Sequence, residues 1–178
     1  MTSEWRGQTW LEKQAAAVIA TSNPVYALSG EFYFSRRGYG LIRVPSDLGK
    51  ALFAAMDIPG IEPPPVSPGN LTYQHHITVM SADEVNLLGG PSKINERAKR
   101  FRYQLGPICT AVPLGWREMS RVWFVQVQSP DLMQLRRTYG LSSYPMDPES
   151  KIQIGFHITI AVRRRNVLYQ NDVAKRGV

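Results

Sequence analysis

The chain has 178 residues, of which 43% are hydrophobic and 20% charged, with a formal net charge of +7. That length suits one domain with a sizeable core, and that composition excludes wholesale disorder. The single cysteine, Cys109, excludes an internal disulfide, and the basic balance favours polyanionic partners such as RNA, nucleotides or anionic surfaces.

Residues 3–20 read as a helix: Ser3 caps it, and Leu11, Ala15, Val18 and Ile19 recur at the spacing of one helix face. The apolar run at 15–20 is short and follows Glu12-Lys13, so neither a secretory leader nor a membrane anchor is expected. A reducing, cytoplasmic setting follows from this and from the lone cysteine. Strands are expected at 26–34 and 39–44, with Arg36-Arg37-Gly38 turning between them. Pro45-Ser46-Asp47 opens a helix to residue 56, with Ser46 as its cap and Leu48, Leu52 and Phe53 on its apolar side. Residues 59–70 hold five prolines and two glycines, a stiff connector that leads into a strand at 71–80. Ser81-Ala82-Asp83-Glu84 starts a short helix, and Gly89-Gly90-Pro91 closes that segment. The stretch 93–102 is basic, with Lys93, Arg97, Lys99, Arg100 and Arg102 able either to track a polynucleotide or to form a solvated face. One or two strands are expected in 101–116, interrupted by Gly106-Pro107 and Pro113. A strand at 121–127 precedes a helix capped by Ser129 with Pro130 first, its Leu132, Leu135 and Tyr139 inward. A loop at 140–150 then leads to a strand at 151–162, which Arg163-Arg164-Arg165 ends.

Two of these strands carry nearly the same words. His75-His76-Ile77-Thr78-Val79 and Phe156-His157-Ile158-Thr159-Ile160 each read His-apolar-Thr-apolar, and together they hold all three histidines of the chain. In a strand, alternate side chains share a face. Parity therefore groups His76 with Thr78 and His157 with Thr159, and it sends His75 to the packed side. Ile152, Ile154, Phe156, Ile158, Ile160 and Val162 form the packed set of the second strand, while Arg163 has the parity of His157 and Thr159. Ser46 precedes His76 by 30 positions, and Ser129 precedes His157 by 28. Each half thus reads strand, helix, loop, motif strand, with half-repeats at about 26–90 and 100–165 in one domain. Both a duplication and two ordinary strand–helix units fit that pattern.

Two imidazoles facing each other suit paired acid–base chemistry, because their ordinary pKa near 6.5 lets one be neutral while the other is protonated. A threonine two residues on can donate its hydroxyl to a phosphate oxygen. Zinc is the competing use of two histidines, but Cys109 is isolated and no carboxylate sits at ligand spacing near either motif. No metal or other cofactor is therefore expected.

The paired motifs resemble those of the two-histidine (2H) phosphoesterase superfamily, which includes RNA 2′,3′-cyclic phosphodiesterases related to the bacterial 2′-5′ RNA ligase and phage enzymes that cleave cyclic-oligonucleotide immune signals. The resemblance spans roughly 39–162 and is specific at the two motifs. It implies an α+β fold, bilobal with a pseudo-two-fold axis, in which two antiparallel sheets flank a central cleft with helices outside. It implies His76, Thr78, His157 and Thr159 as the catalytic set, with no metal. Where that family carries leucine after the threonine, this chain has Val79 and Ile160. Arg163 is the candidate phosphate partner, with a solvated strand end as the alternative, and Trp123 and Tyr144, with Tyr103 and Trp116, are the candidates for base stacking, with core packing as theirs. The expected partner is a nucleotide or RNA phosphodiester. A non-catalytic RNA- or nucleotide-binding module is the alternative.

Overall fold

The computed structural model describes residues 28–65, 74–113, 117–146 and 153–165. The helix expected at 3–20, residues 71–73 at the head of the first motif strand, Trp116, and residues 151–152 lie outside them. Six strands are formed: β1 (Leu28–Phe34), β2 (Gly40–Arg43), β3 (His76–Met80), β4 (Arg100–Ala111), β5 (Met119–Gln128) and β6 (His157–Arg164). Among the described residues they are joined by α1 (Ser46–Ala54), α2 (Ala82–Leu87) and α3 (Pro130–Thr138).

The strands pair antiparallel in the order β1-β2-β3-β6-β5-β4, and β4 pairs back onto β1 to close the ring. The class is α+β as expected, but the strands form one closed sheet where two separate sheets were expected. The pairing of Leu28 with Tyr103 through Glu31 with Arg100 joins β1 to β4 and leaves neither as a free edge. Each half supplies a three-stranded meander, β1-β2-β3 and β4-β5-β6, and the two motif strands lie side by side where the meanders meet.

Alternation decides what each face buries. Ile42 of β2, Ile77 and Val79 of β3, Val125 and Val127 of β5, and Ile158 and Ile160 of β6 share one core cluster with Leu52 of α1 and with Leu132 and Leu135 of α3. The helices therefore cover this face, and the intervening side chains of β3 and β6 point to the other. Both motif strands are shorter than expected, and Ile154, placed by parity in the packed set, lies ahead of β6 and is 39% exposed.

The helix starts follow from local chemistry. Ser129 caps α3 by accepting from the Leu132 N–H at 3.1 Å, and its hydroxyl donates to the Arg102 carbonyl at 2.6 Å. Ser81 and Glu84 form a reciprocal capping box at the start of α2. Ser46, the expected cap of α1, is instead its first helical residue. Pro45 holds the cap position in extended backbone, with no side-chain cap bond, and the Ser46 hydroxyl turns to Asp47.

Two packing features hold β3 in place. His75 is buried at its head, as parity expects, and lies directly over Gly49 of α1. A Cβ at position 49 would stand 2.2 Å from the His75 ring. Gly49→Ala should therefore destabilise the fold by about 1–3 kcal/mol through overpacking, against a helix-propensity gain of at most about 1 kcal/mol. Urea unfolding of the variant reads this difference, and a higher midpoint would show that the ring moves aside freely.

At the other end of β3, Arg136 of α3 is fully buried. Its guanidinium donates to the Glu84 carboxylate at 2.6 and 3.0 Å, to the Val79 carbonyl, and to the Tyr144 carbonyl at 2.9 Å, while Nε reaches the Ser142 carbonyl at 2.7 Å. Burial alone would raise the Glu84 pKa, but hydrogen bonds from Arg136 and from the Ser81 backbone bring it below the ordinary carboxylate value.

Candidate active site

The seam between the motif strands is narrow. Ile77 pairs with Ile158, and counting one residue outward on each side sets His76 beside Thr159 and Thr78 beside His157. The flanking strands extend these into two rows. Arg43 pairs with His76, and Phe124 with Thr159; Leu41 pairs with Thr78, and Gln126 with His157. Each histidine thus lies next to the threonine of the other motif, on the face away from the helices.

The two histidines are oriented in the same way. His76 Nδ1–H donates to the Gln74 carbonyl at 2.9 Å, and His157 Nδ1–H donates to the Gly155 carbonyl at 2.9 Å. A carbonyl oxygen only accepts, so the proton sits on Nδ1 in both neutral rings and Nε2 carries the basic lone pair. The Phe124 ring meets His157 edge-on at 5.3 Å between centroids, which limits rotation of that imidazole.

Burial lowers the pKa of both rings below the ordinary 6.5, an effect opposed by the bonds to Gln74 and Gly155 and deepened at His157 by charge on His76. His75 is lowered too, by burial and then by charge on His76. The unfolded chain takes up protons first, so the stability from these groups is complete above pH 6.5 and is lost as pH falls through their lower folded-state values. The melting temperature should fall between about pH 7 and about pH 5, with at most about 1.4 kcal/mol per pH unit from each histidine. The His76→Gln, His157→Gln double variant should show a flatter profile, with the His75 contribution remaining. An unchanged slope would mean that the two rings titrate as in the unfolded chain.

The other expected contact residues fall elsewhere. The register between β5 and β6 shifts between Trp123 and Phe124: Phe124 pairs with Thr159, but Trp123 pairs with Ala161. This bulge puts Ile160 and Ala161 both into the core and reverses parity beyond them. Val162 consequently leaves the helix-covered core and packs with Met119, Val122 and Phe124, while Arg163 leaves the face of His157 and Thr159. The Arg163 guanidinium lies 5.3 Å from the Trp123 ring centre and donates to the Pro59 carbonyl at 2.9 Å. Trp123 is 4% exposed beneath it, so that indole supports Arg163 and offers no open face to a base. Tyr144 packs edge-on against buried Phe156 at 5.4 Å, on the core side. Tyr103 is fully buried, with its hydroxyl pKa pushed up to about 12 by burial. In the basic stretch, Lys99 pairs with Glu96, Arg102 pairs with Asp131, and Arg100 bonds to Ser29.

Arg43, Gln126 and Phe124 occupy the two rows, and sequence reasoning missed them. Their signal was present: Arg43 is the only charge in Gly40–Arg43, and Gln126 interrupts the apolar run of β5. Among the described residues, no group of three or more His, Cys, Asp and Glu side chains is arranged to hold a metal ion. Among them, too, no helix is long and apolar enough to cross a membrane.

The family model described as "Swiss Army Knife, 2H phosphoesterase domain" matches residues 50–168 of this chain. No curated protein and no solved structure matches it. The matched stretch runs from within α1 past the end of β6, and it includes both His-x-Thr motifs and the seam on which they meet. The chain belongs to the 2H phosphoesterase family, whose activity is phosphoester chemistry.

Proposed function

We propose that this chain is a metal-independent phosphodiesterase acting on a nucleotide phosphodiester, such as a 2′,3′-cyclic phosphate or a cyclic di- or oligonucleotide. His76 and His157 are its proton-transfer pair, and Thr78 and Thr159 donate to the non-bridging phosphate oxygens. One neutral imidazole takes the proton from the attacking water or ribose hydroxyl through Nε2 as the new P–O bond forms. The protonated imidazole gives its Nε2 proton to the leaving oxygen as the old P–O bond breaks. The roles exchange when the reaction runs in reverse. In this reading residues 26–90 and 100–165 are half-repeats, and each supplies one histidine and one threonine to a shared cleft in a cytoplasmic enzyme.

The observation that carries the reading is the matched tautomer of the two rings. A strand histidine at a bland surface position has no need of an Nδ1 acceptor, whereas two that share the same acceptor geometry each present Nε2 in the form acid–base transfer uses. The test is a panel of 2′,3′-cyclic mononucleotides, cyclic dinucleotides and 2′-5′-linked oligonucleotides incubated with the protein in EDTA. Product formation from at least one class is expected. Turnover abolished by EDTA overturns the mechanism, and tight binding without product replaces the enzyme with a binding module.

A further inference from the structure

A cavity of about 420 Å³ lies at the end of the β2–β3 pairing. Its walls include Ser29 and Glu31 of β1, Arg43 of β2, Arg100 of β4, and Gln74 and His75 at the entry to β3. Two links join it to the histidine seam. Arg43 is the register partner of His76, and the Gln74 carbonyl is the acceptor that orients the His76 ring. The cavity wall therefore begins about 5 Å from the His76 backbone, one strand spacing away.

The volume falls within the range of about 300–1,000 Å³ that holds small ligands, but the walls are more polar than such pockets usually are. Both guanidiniums are positioned by neighbours. Arg43 lies over the Tyr33 ring, 5.0 Å from its centre, and Arg100 donates to the Ser29 carbonyl and hydroxyl, each at 2.9 Å. Glu31, which pairs in register with Arg100, is the carboxylate in the wall, so two positive charges face one negative. Planar guanidinium forks match phosphate oxygens in both charge and geometry.

We propose that this cavity is a subsite for a second phosphate of the substrate, one nucleotide away from the phosphodiester at the histidines. The substrate is then a chain or ring of at least two nucleotides, in preference to an isolated cyclic mononucleotide. This rests on the phosphodiesterase reading above, so the test is built to separate the two.

The full chain carrying His76→Ala and His157→Ala is titrated by calorimetry with inorganic phosphate, a nucleoside 5′-monophosphate, and a 5′-phosphorylated dinucleotide, at two salt concentrations. The dinucleotide should bind at least about tenfold tighter than the mononucleotide, a margin one added charge-assisted hydrogen bond supplies. Adding Arg43→Gln or Arg100→Gln should remove that margin and lower the salt slope by about 0.7, the share of one neutralised phosphate on a single strand. Equal affinity for both nucleotides, or a margin indifferent to both arginines, overturns the proposal. Inorganic phosphate binding as tightly as the dinucleotide also overturns it, since the cavity would then be a free-anion site. Because the titrated protein lacks both histidines, an arginine-dependent margin alongside a wild type that turns over nothing would retain the subsite and remove the phosphodiesterase.

Discussion

His76→Ala and His157→Ala should each lower kcat by about 10²- to 10⁴-fold on whichever panel substrate the wild type turns over. That corresponds to about 3–5 kcal/mol of barrier for a single proton-transfer group. The two losses should not add. If one imidazole must be neutral while the other is protonated, removing either one stops the same step, and the double variant should be only slightly slower than the worse single one. The diagonal placement of His76 and His157 across the Ile77–Ile158 pair, and the effect of charge on His76 at His157, are the basis for that expectation. Steady-state kinetics of the three variants settles the matter. A single variant that keeps activity within about tenfold of wild type, or a double variant whose loss is the product of the singles, means that the histidines do not work as a unit.

Arg136→Met should lower the unfolding free energy by about 3 kcal/mol, the cost of leaving a half-buried carboxylate without its buried cation. Few single changes in a chain this size act as strongly, because typical net stability is only about 5–15 kcal/mol. The guanidinium also satisfies the Val79, Ser142 and Tyr144 carbonyls, so its removal takes a donor from all three together, the buried Val79 carbonyl among them. Those carbonyls come from β3 and from the segment after α3, so one residue ties the two halves of the chain together beside Thr78. Adding Glu84→Gln to Arg136→Met should recover part of the stability, since the remaining partner is then uncharged. Urea midpoints at constant m measure both changes. A decrease under about 1 kcal/mol for Arg136→Met would show that water reaches the Glu84 carboxylate once the guanidinium is gone.

Much of this chain was legible because local chemistry decides it. Ser129-Pro130 starts α3 where the sequence says it should, and the alternation of His76-Ile77-Thr78-Val79 assigns Ile77 and Val79 to the packed side without tertiary information. The same alternation failed beyond Thr159. A bulge has no signature in Ile160-Ala161-Val162, and one extra residue on the strand transferred Arg163 to the wrong face. Closure of the sheet was equally invisible, since the pairing of β1 with β4 links residues about 70 positions apart and leaves each strand's own alternation unchanged. Gly106-Pro107 looked like an interruption, but β4 continues through it with a register shift. Arg136 was overlooked for a related reason. An arginine in the last turn of a helix ordinarily complements the helix dipole at the surface, and its burial rests on Glu84 and Val79, 52 and 57 residues earlier.

The central claim is that two coupled imidazoles exchange protons with a phosphodiester, and the pH dependence of kcat/KM in EDTA tests it most directly. The profile reports the free enzyme, in which both rings titrate below 6.5. It should be bell-shaped, with its maximum below about pH 6.5 and two apparent pKa values that belong to the pair. The kcat profile should lie further to the alkaline side, because a bound phosphate's negative charge stabilises the imidazolium form. A kcat/KM that is flat across this range, or that rises steadily above pH 7 without a second limb, would contradict a mechanism built on His76 and His157.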